Sequence, residues 1–122
     1  MSQIGSNPDD QLTLDEKAIA RLKQDMGEDL YMVLEAYVES IDDLLNDIQS
    51  RTVKTSRDDL HRWAHSLKSS AASIGAMRLS QLAAEMEHSF RNRETIDVAA
   101  QLESMQNEYQ KVSAGLEKLD LR

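Results

Sequence analysis

Apolar residues recur along this chain at alternating steps of three and four, the spacing that lines one face of a helix. Leu14, Ala18, Ile19, Leu22 and Met26 form a first set, opened by Thr13 and Glu16 in capping-box register and closed by Gly27. From Glu28 a second seam runs through Leu30, Leu34, Tyr37, Ile41, Leu44 and Ile48, about five turns of helix. Residues Thr52 to Ser56 interrupt it, and Ser56 with Asp59 repeats the capping-box pattern. The stripe that follows, Leu60, Trp63, Ala64, Leu67, Ala71 and Ile74, ends at Gly75, a residue suited to a left-handed cap. A fourth set, Met77, Leu79, Leu82, Ala83, Met86 and Phe90, stops in the polar run Arg91 to Glu94. Thr95 then offers a cap for a fifth, Ile96, Ala99, Leu102, Met105, Tyr109, Val112, Leu116 and Leu119.

Four long amphipathic helices joined by loops of a few residues favour antiparallel neighbours. The pattern predicts an all-α fold, an antiparallel up-down-up-down four-helix bundle with a short additional N-terminal helix lying across one end. Residues 1–11 lack any apolar period and read as a flexible leader, with 12–122 as the bundle domain. Periodicity by itself leaves open a three-plus-two arrangement or a dimer of hairpins. Four Gly and one Pro in 122 residues are too little punctuation for the many turns of an all-β fold. Met26, Met77, Met86 and Met105 read as core or loop filling and not as a peptide-binding groove, and the single tryptophan, which lies on an apolar stripe, as core and not a docking aromatic.

Charge narrows the partners. Lys and Arg number 14 against 22 Asp and Glu, a balance of 14 − 22 = −8, which argues against a nucleic-acid backbone or an anionic membrane as the main partner. With no cysteine, disulfides, thiolate metal sites and a cysteine nucleophile are excluded, and a reducing compartment fits. No stretch approaches the roughly 18 apolar residues of a membrane span, and no export signal opens the chain. A cytoplasmic, freestanding monomer is the expectation.

Candidate chemistry reduces to three histidines, His61, His65 and His88, because phosphate-binding loops, nucleophile elbows and metalloprotease or calcium motifs are absent from the sequence. At about 100° per residue, His65 falls about 140° from the centre of its helix's apolar stripe and therefore faces solvent. An exposed histidine is usually no more than that. Here its surroundings, Ser66, Ser69, Ser70, Ala72, Ser73 and Ala76, are poor choices for a solvated helix face, and they leave room for something to approach. A neutral imidazole, with an unperturbed pKa of about 6.5, is a nucleophile that can take a phosphoryl group. Lys68, one turn along, supplies a flexible cation for the phosphoryl oxygens.

Two rivals stand beside that reading. His61 and His65, four apart with Asp58 a turn earlier, could place two imidazoles on one zinc, although further ligands are not evident in the sequence. A non-catalytic helical adaptor that binds a partner protein is the other.

The stretch from His65 to Ala76, His-Ser-Leu-Lys-Ser-Ser-Ala-Ala-Ser-Ile-Gly-Ala, with Leu79, Leu82 and Glu85-Met86-Glu87 after it and Leu22, Gly27 and Asp29 before it, resembles the histidine-containing phosphotransfer (HPt) domains of multistep two-component phosphorelays. The likeness covers about residues 14–115. It implies a four-helix bundle carrying one phosphorylatable histidine, with His65 as phosphoacceptor, Lys68 as the lysine three residues on, Ser70 as the small hydroxyl position and Gly75 as the glycine closing the helix. Glu87 matches a polar position that in some members hydrogen-bonds the phosphoacceptor ring, and Arg91 a nearby basic one; taken without the likeness, both read as ordinary solvated residues. Ser69 stands where the family usually has glycine, a departure that bears on partner choice. The resemblance further implies a phosphocarrier without kinase activity of its own, taking a phosphoryl group from the receiver-domain aspartate of a hybrid histidine kinase and passing it to the receiver domain of a response regulator. No cofactor is expected on this chain, and Mg2+ is expected on the receiver. The expected docking face comprises His61, His65, Lys68, Ser69, Ala72 and Ala76.

Overall fold

The first helix is started by Asp15. In the computed structural model, which describes residues 13–50, 57–92 and 97–118, the Asp15 carboxylate accepts from the Lys17 amide at 3.0 Å and caps α1, Glu16–Met26. Thr13 was the residue expected in that role. Leu14, just before the cap, and Ile19, four positions into the helix, are both buried in the core, the arrangement of a hydrophobic staple. Gly27 ends α1 at φ 56°, its amide bonded to the Lys23 carbonyl. A turn of 3-10 helix, Gly27–Asp29, then leads into α2, Leu30–Ser50.

The remaining helices among the described residues are α3, Arg57–Ser73, α4, Met77–Arg91, and α5, Val98–Lys118. Expected caps at Ser56 and Thr95, the apolar residues Ile96 and Leu119 and the leader 1–11 lie outside the described residues. At the start of α5 the Asp97 carboxylate accepts from the Ala100 amide at 3.1 Å.

Residue pairings between helices fix their directions. Ser80 Oγ donates to the Lys68 carbonyl at 3.0 Å, while further along α4 Glu87 meets His65, so α3 and α4 run antiparallel. Arg78 faces Glu108. Trp63 Nε1 donates to the Leu44 carbonyl at 2.7 Å, and Tyr109 Oη to the Val38 carbonyl at 3.3 Å. The four long helices thus close a ring in the order α2, α3, α4, α5, with the first and last in contact. Ile41, Leu67, Ile74, Leu79, Met86, Met105 and Val112 fill its centre, all fully buried. Within the predicted seams the structure shifts two positions. Leu45 is more deeply buried than Leu44, and Ala99 is exposed. Met26, expected as filling, is also exposed, with Met32 of α2 more so.

The α3–α4 turn locates α1. Ala76 N bonds to Ala71 O at 2.9 Å and Gly75 N to Ala72 O at 3.1 Å, a Schellman closure with Gly75 at φ 77°. The Asp15 amide donates to the Gly75 carbonyl at 2.7 Å. A Cβ on Gly75 would stand 3.0 Å from the Asp15 carbonyl oxygen and 3.2 Å from Ala18 Cβ, so glycine is required both for the positive φ and for the approach of α1. The short helix therefore packs over this end of the bundle, as its pattern implied.

Candidate functional site

His65 stands on the outer face of α3 with its side chain 60% exposed, as its position about 140° from the apolar stripe required. Ser66, Ser69 and Ala72 beside it are exposed, Ser70 and Ser73 half-buried. Ala76 departs from expectation. Helical extrapolation put it on the His65 face, but α3 ends at Ser73, and the Schellman turn carries Ala76 inward to complete burial against the bundle. The small-residue surface is thus made by Ser66, Ser69 and Ala72, without Ala76.

The centre of the site is Glu87. The family likeness gave it as a polar residue bonded to the ring, and its helix position alone as a solvated one; it is buried, its side chain 4% exposed. It lies on the flank of α4 that faces α3, one heptad beyond Ser80, which is also buried and hydrogen-bonded to α3. Glu87 Oε2 is 2.6 Å from His65 Nδ1, and Glu87 Oε1 accepts from Lys68 Nζ at 2.6 Å. His61 Nε2 and an Arg91 terminal nitrogen approach Oε2 more distantly, each at 3.9 Å. One buried carboxylate therefore gathers the two histidines, the lysine and the arginine named from sequence.

The Lys68 ammonium bonded to Glu87 holds its carboxyl below the ordinary value of 4.5; burial pushes the other way, and the His65 hydrogen bond and the two nearby charges reinforce Lys68. At neutral pH Glu87 is then a carboxylate, which can only accept hydrogen bonds. The proton in the 2.6 Å contact consequently resides on His65 Nδ1, and in the neutral ring the free lone pair is on Nε2. Lys68 was expected beside the imidazole. It is joined to the ring through Glu87.

Among the described residues no three His, Asp or Glu side chains are grouped so as to hold a metal ion. Asp58 is exposed at the start of α3, and the His61–His65 pair gains no third ligand from it. His88, away from this cluster on α4, contacts the Asn92 amide at 2.8 Å. Among the described residues, no helix is long and apolar enough to cross a membrane.

The site is thus an exposed histidine on the second long helix of a four-helix ring, steadied by a carboxylate on the third. Residues 32–115 match the Hpt domain family. The phosphorelay protein LuxU of Vibrio cholerae is 30% identical over 93 residues, which span 75% of this chain and 82% of that protein. The crystal structure of histidine-containing phosphotransfer protein B (HptB) from Pseudomonas aeruginosa is similar with a TM-score of 0.82 at 25% identity, covering 93% of this chain and 95% of that one. The chain therefore belongs to the Hpt family, and its function is histidine phosphotransfer in a phosphorelay.

Proposed function

We propose that His65 is the phosphoacceptor and that Nε2 is the atom that carries the phosphoryl group. The observation that carries this reading is the 2.6 Å contact of Nδ1 with buried Glu87 on an otherwise exposed ring. In the step, the Nε2 lone pair attacks phosphorus of a receiver's aspartyl phosphate in line. The P–O bond to the aspartate breaks, the N–P bond forms, and the aspartate leaves as a carboxylate. Transfer to a second receiver is the reverse step. The receiver supplies Mg2+ for the phosphoryl oxygens, and this chain needs no cofactor of its own.

Glu87 positions the ring and selects its tautomer. Lys68, held in the same cluster, is the cation available when the phosphoryl group adds negative charge. His61, Ser69 and Ala72 share the docking face, with half-buried Ser70 behind it, and Arg91 adds a further cation near Glu87. The protein works as a cytoplasmic monomer between the receiver domain of a hybrid histidine kinase and that of a response regulator. It has no kinase activity of its own, in keeping with a sequence that carries no nucleotide-binding motif.

The test mixes the protein with a receiver domain carrying labelled phosphoryl. Uptake of acid-labile, base-stable label that disappears in His65→Gln is expected. Label retained in His65→Gln would place the acceptor elsewhere, and a wild-type protein that binds the receiver but takes up no label would be an adaptor.

A further inference from the structure

The proton on His65 Nδ1 matters twice, once when the phosphoryl group arrives and again when it leaves. On arrival the neutral ring attacks through Nε2 and keeps its Nδ1 proton, so the product is an N-phosphoimidazolium, a ring with a full positive charge. On departure the N–P bond breaks, its electron pair returns to Nε2, and the new P–O bond forms to the acceptor aspartate. A ring that still holds the Nδ1 proton leaves as neutral imidazole. A ring that has lost it leaves as imidazolate, a far stronger base that is hard to expel. Near neutral pH an exposed imidazolium loses its proton readily to water, and His65, its side chain 60% exposed, has no burial to prevent that.

Glu87 decides what happens at Nδ1. Its Oε2 lies 2.6 Å from that nitrogen, and a carboxylate only accepts, so it bonds the protonated ring and repels the lone pair of a deprotonated one. The acceptor is not easily diverted: its side chain is 4% exposed, and its other oxygen is bonded to Lys68 Nζ at 2.6 Å. Among the described residues, the other groups gathered on this carboxylate are His61 from α3 and Arg91 from α4, each 3.9 Å from Oε2. Positive charge on either opposes the charged ring, but from beyond the reach of a direct bond, so the charge-assisted contact at Nδ1 prevails. The Lys68 ammonium, by holding the carboxyl below its ordinary value, keeps the acceptor ionised. We propose that Glu87 keeps the Nδ1 proton in place through the whole cycle, so that phospho-His65 remains an N-phosphoimidazolium at neutral pH and its ring always departs as neutral imidazole. The inference rests on the assignment of Nε2 as the phosphorylated atom. Glu87 is then a positioning residue for a proton, and the carrier takes up and hands on the phosphoryl group without exchanging a proton with water.

Glu87→Gln is the informative variant, because an amide accepts from a protonated Nδ1 or donates to a bare one, and so keeps the contact while removing the preference. Wild type and variant are phosphorylated from a labelled receiver, freed of it, and followed for loss of label between about pH 5.5 and about pH 8. At the alkaline end the variant's label is expected to outlast that of wild type at least about tenfold, the effect of removing an opposite charge in contact. At the acid end, where both rings are protonated, the lifetimes are expected to agree within about twofold. A ratio that is the same at every pH reports a structural change or the release of Lys68, which stays charged throughout, and overturns the inference. The same pH-dependent change in His61→Gln, with Glu87 intact, assigns it to His61 and equally overturns it. 15N NMR of the phosphorylated wild type at the alkaline end needs no variant. A proton on Nδ1 is expected there, and phosphoryl on Nε2 beside a bare Nδ1 overturns the inference even if Glu87→Gln does not fold. Phosphoryl on Nδ1 or on another residue refutes instead the assignment on which the inference rests.

Discussion

Removing Lys68 and removing Glu87 break the same 2.6 Å contact but leave different molecules behind. Lys68→Met deletes a cation that is about a third exposed and strands a carboxylate whose side chain is 4% exposed. That carboxylate keeps its bond to His65, with His61 and Arg91 at 3.9 Å. An under-satisfied buried charged group costs about 1–3 kcal/mol, and the remaining partners hold the figure to the lower half. Glu87→Met deletes the buried charge itself. Lys68 and the 60% exposed His65 can then turn to water, so its cost should stay within about 1 kcal/mol. The double variant, with neither charge, should lie closer to wild type than Lys68→Met does. Urea unfolding at pH 7 of the three variants and the wild type measures these differences in one experiment. A Glu87→Met protein less stable than Lys68→Met would refute the reasoning, since it would mean the carboxylate is worth more than its desolvation even after its cation is gone.

Acid should act through the same group. Glu87 is held below 4.5, first by Lys68. Its depressed value contributes stability that is present above 4.5 and is lost as pH falls through the lower folded-state value; urea midpoints between pH 7 and 3 should therefore fall more in wild type than in Glu87→Met. Gly75→Ala forces a Cβ onto a residue at φ 77° with 3.0 Å to the Asp15 carbonyl oxygen, and should destabilise by about 1–3 kcal/mol in thermal melts; an unchanged melting point would contradict the tight closure of α1 on the turn. Tyr109→Phe removes the 3.3 Å bond to the Val38 carbonyl and should cost about 0.5–1.5 kcal/mol of unfolding free energy.

The helices were legible because burial leaves a period in the sequence. Gly27 and Gly75 ended α1 and α3 where the pattern stopped, and the angular offset of His65 from its stripe translated directly into exposure. The failures have a common cause, which is contact with something outside the helix being read. Ala76 was assigned to the His65 face by continuing a helix past its own terminus, where the chain reverses and buries it. Asp15 displaced Thr13 as cap because Leu14 is drawn into the core and the helix begins after it. Glu87 was reached only through the family likeness. Its partners are 22 and 19 positions away on another helix, and periodicity describes a face without saying what it meets. A faint signal existed in Ser80 and Glu87, polar residues seven apart beside the apolar stripe of α4, where both are buried.

With Nδ1 protonated and held by Glu87, the neutral ring's lone pair is at Nε2, the atom at which we propose that the phosphoryl group enters. The most direct measurement is 15N and 31P NMR of the phosphorylated protein, labelled at its three histidines and loaded from a phosphorylated receiver. The expected result is one phosphohistidine, at His65, coupled to phosphorus through Nε2. Coupling through Nδ1, or a signal from His61 or His88 in its place, would contradict the account.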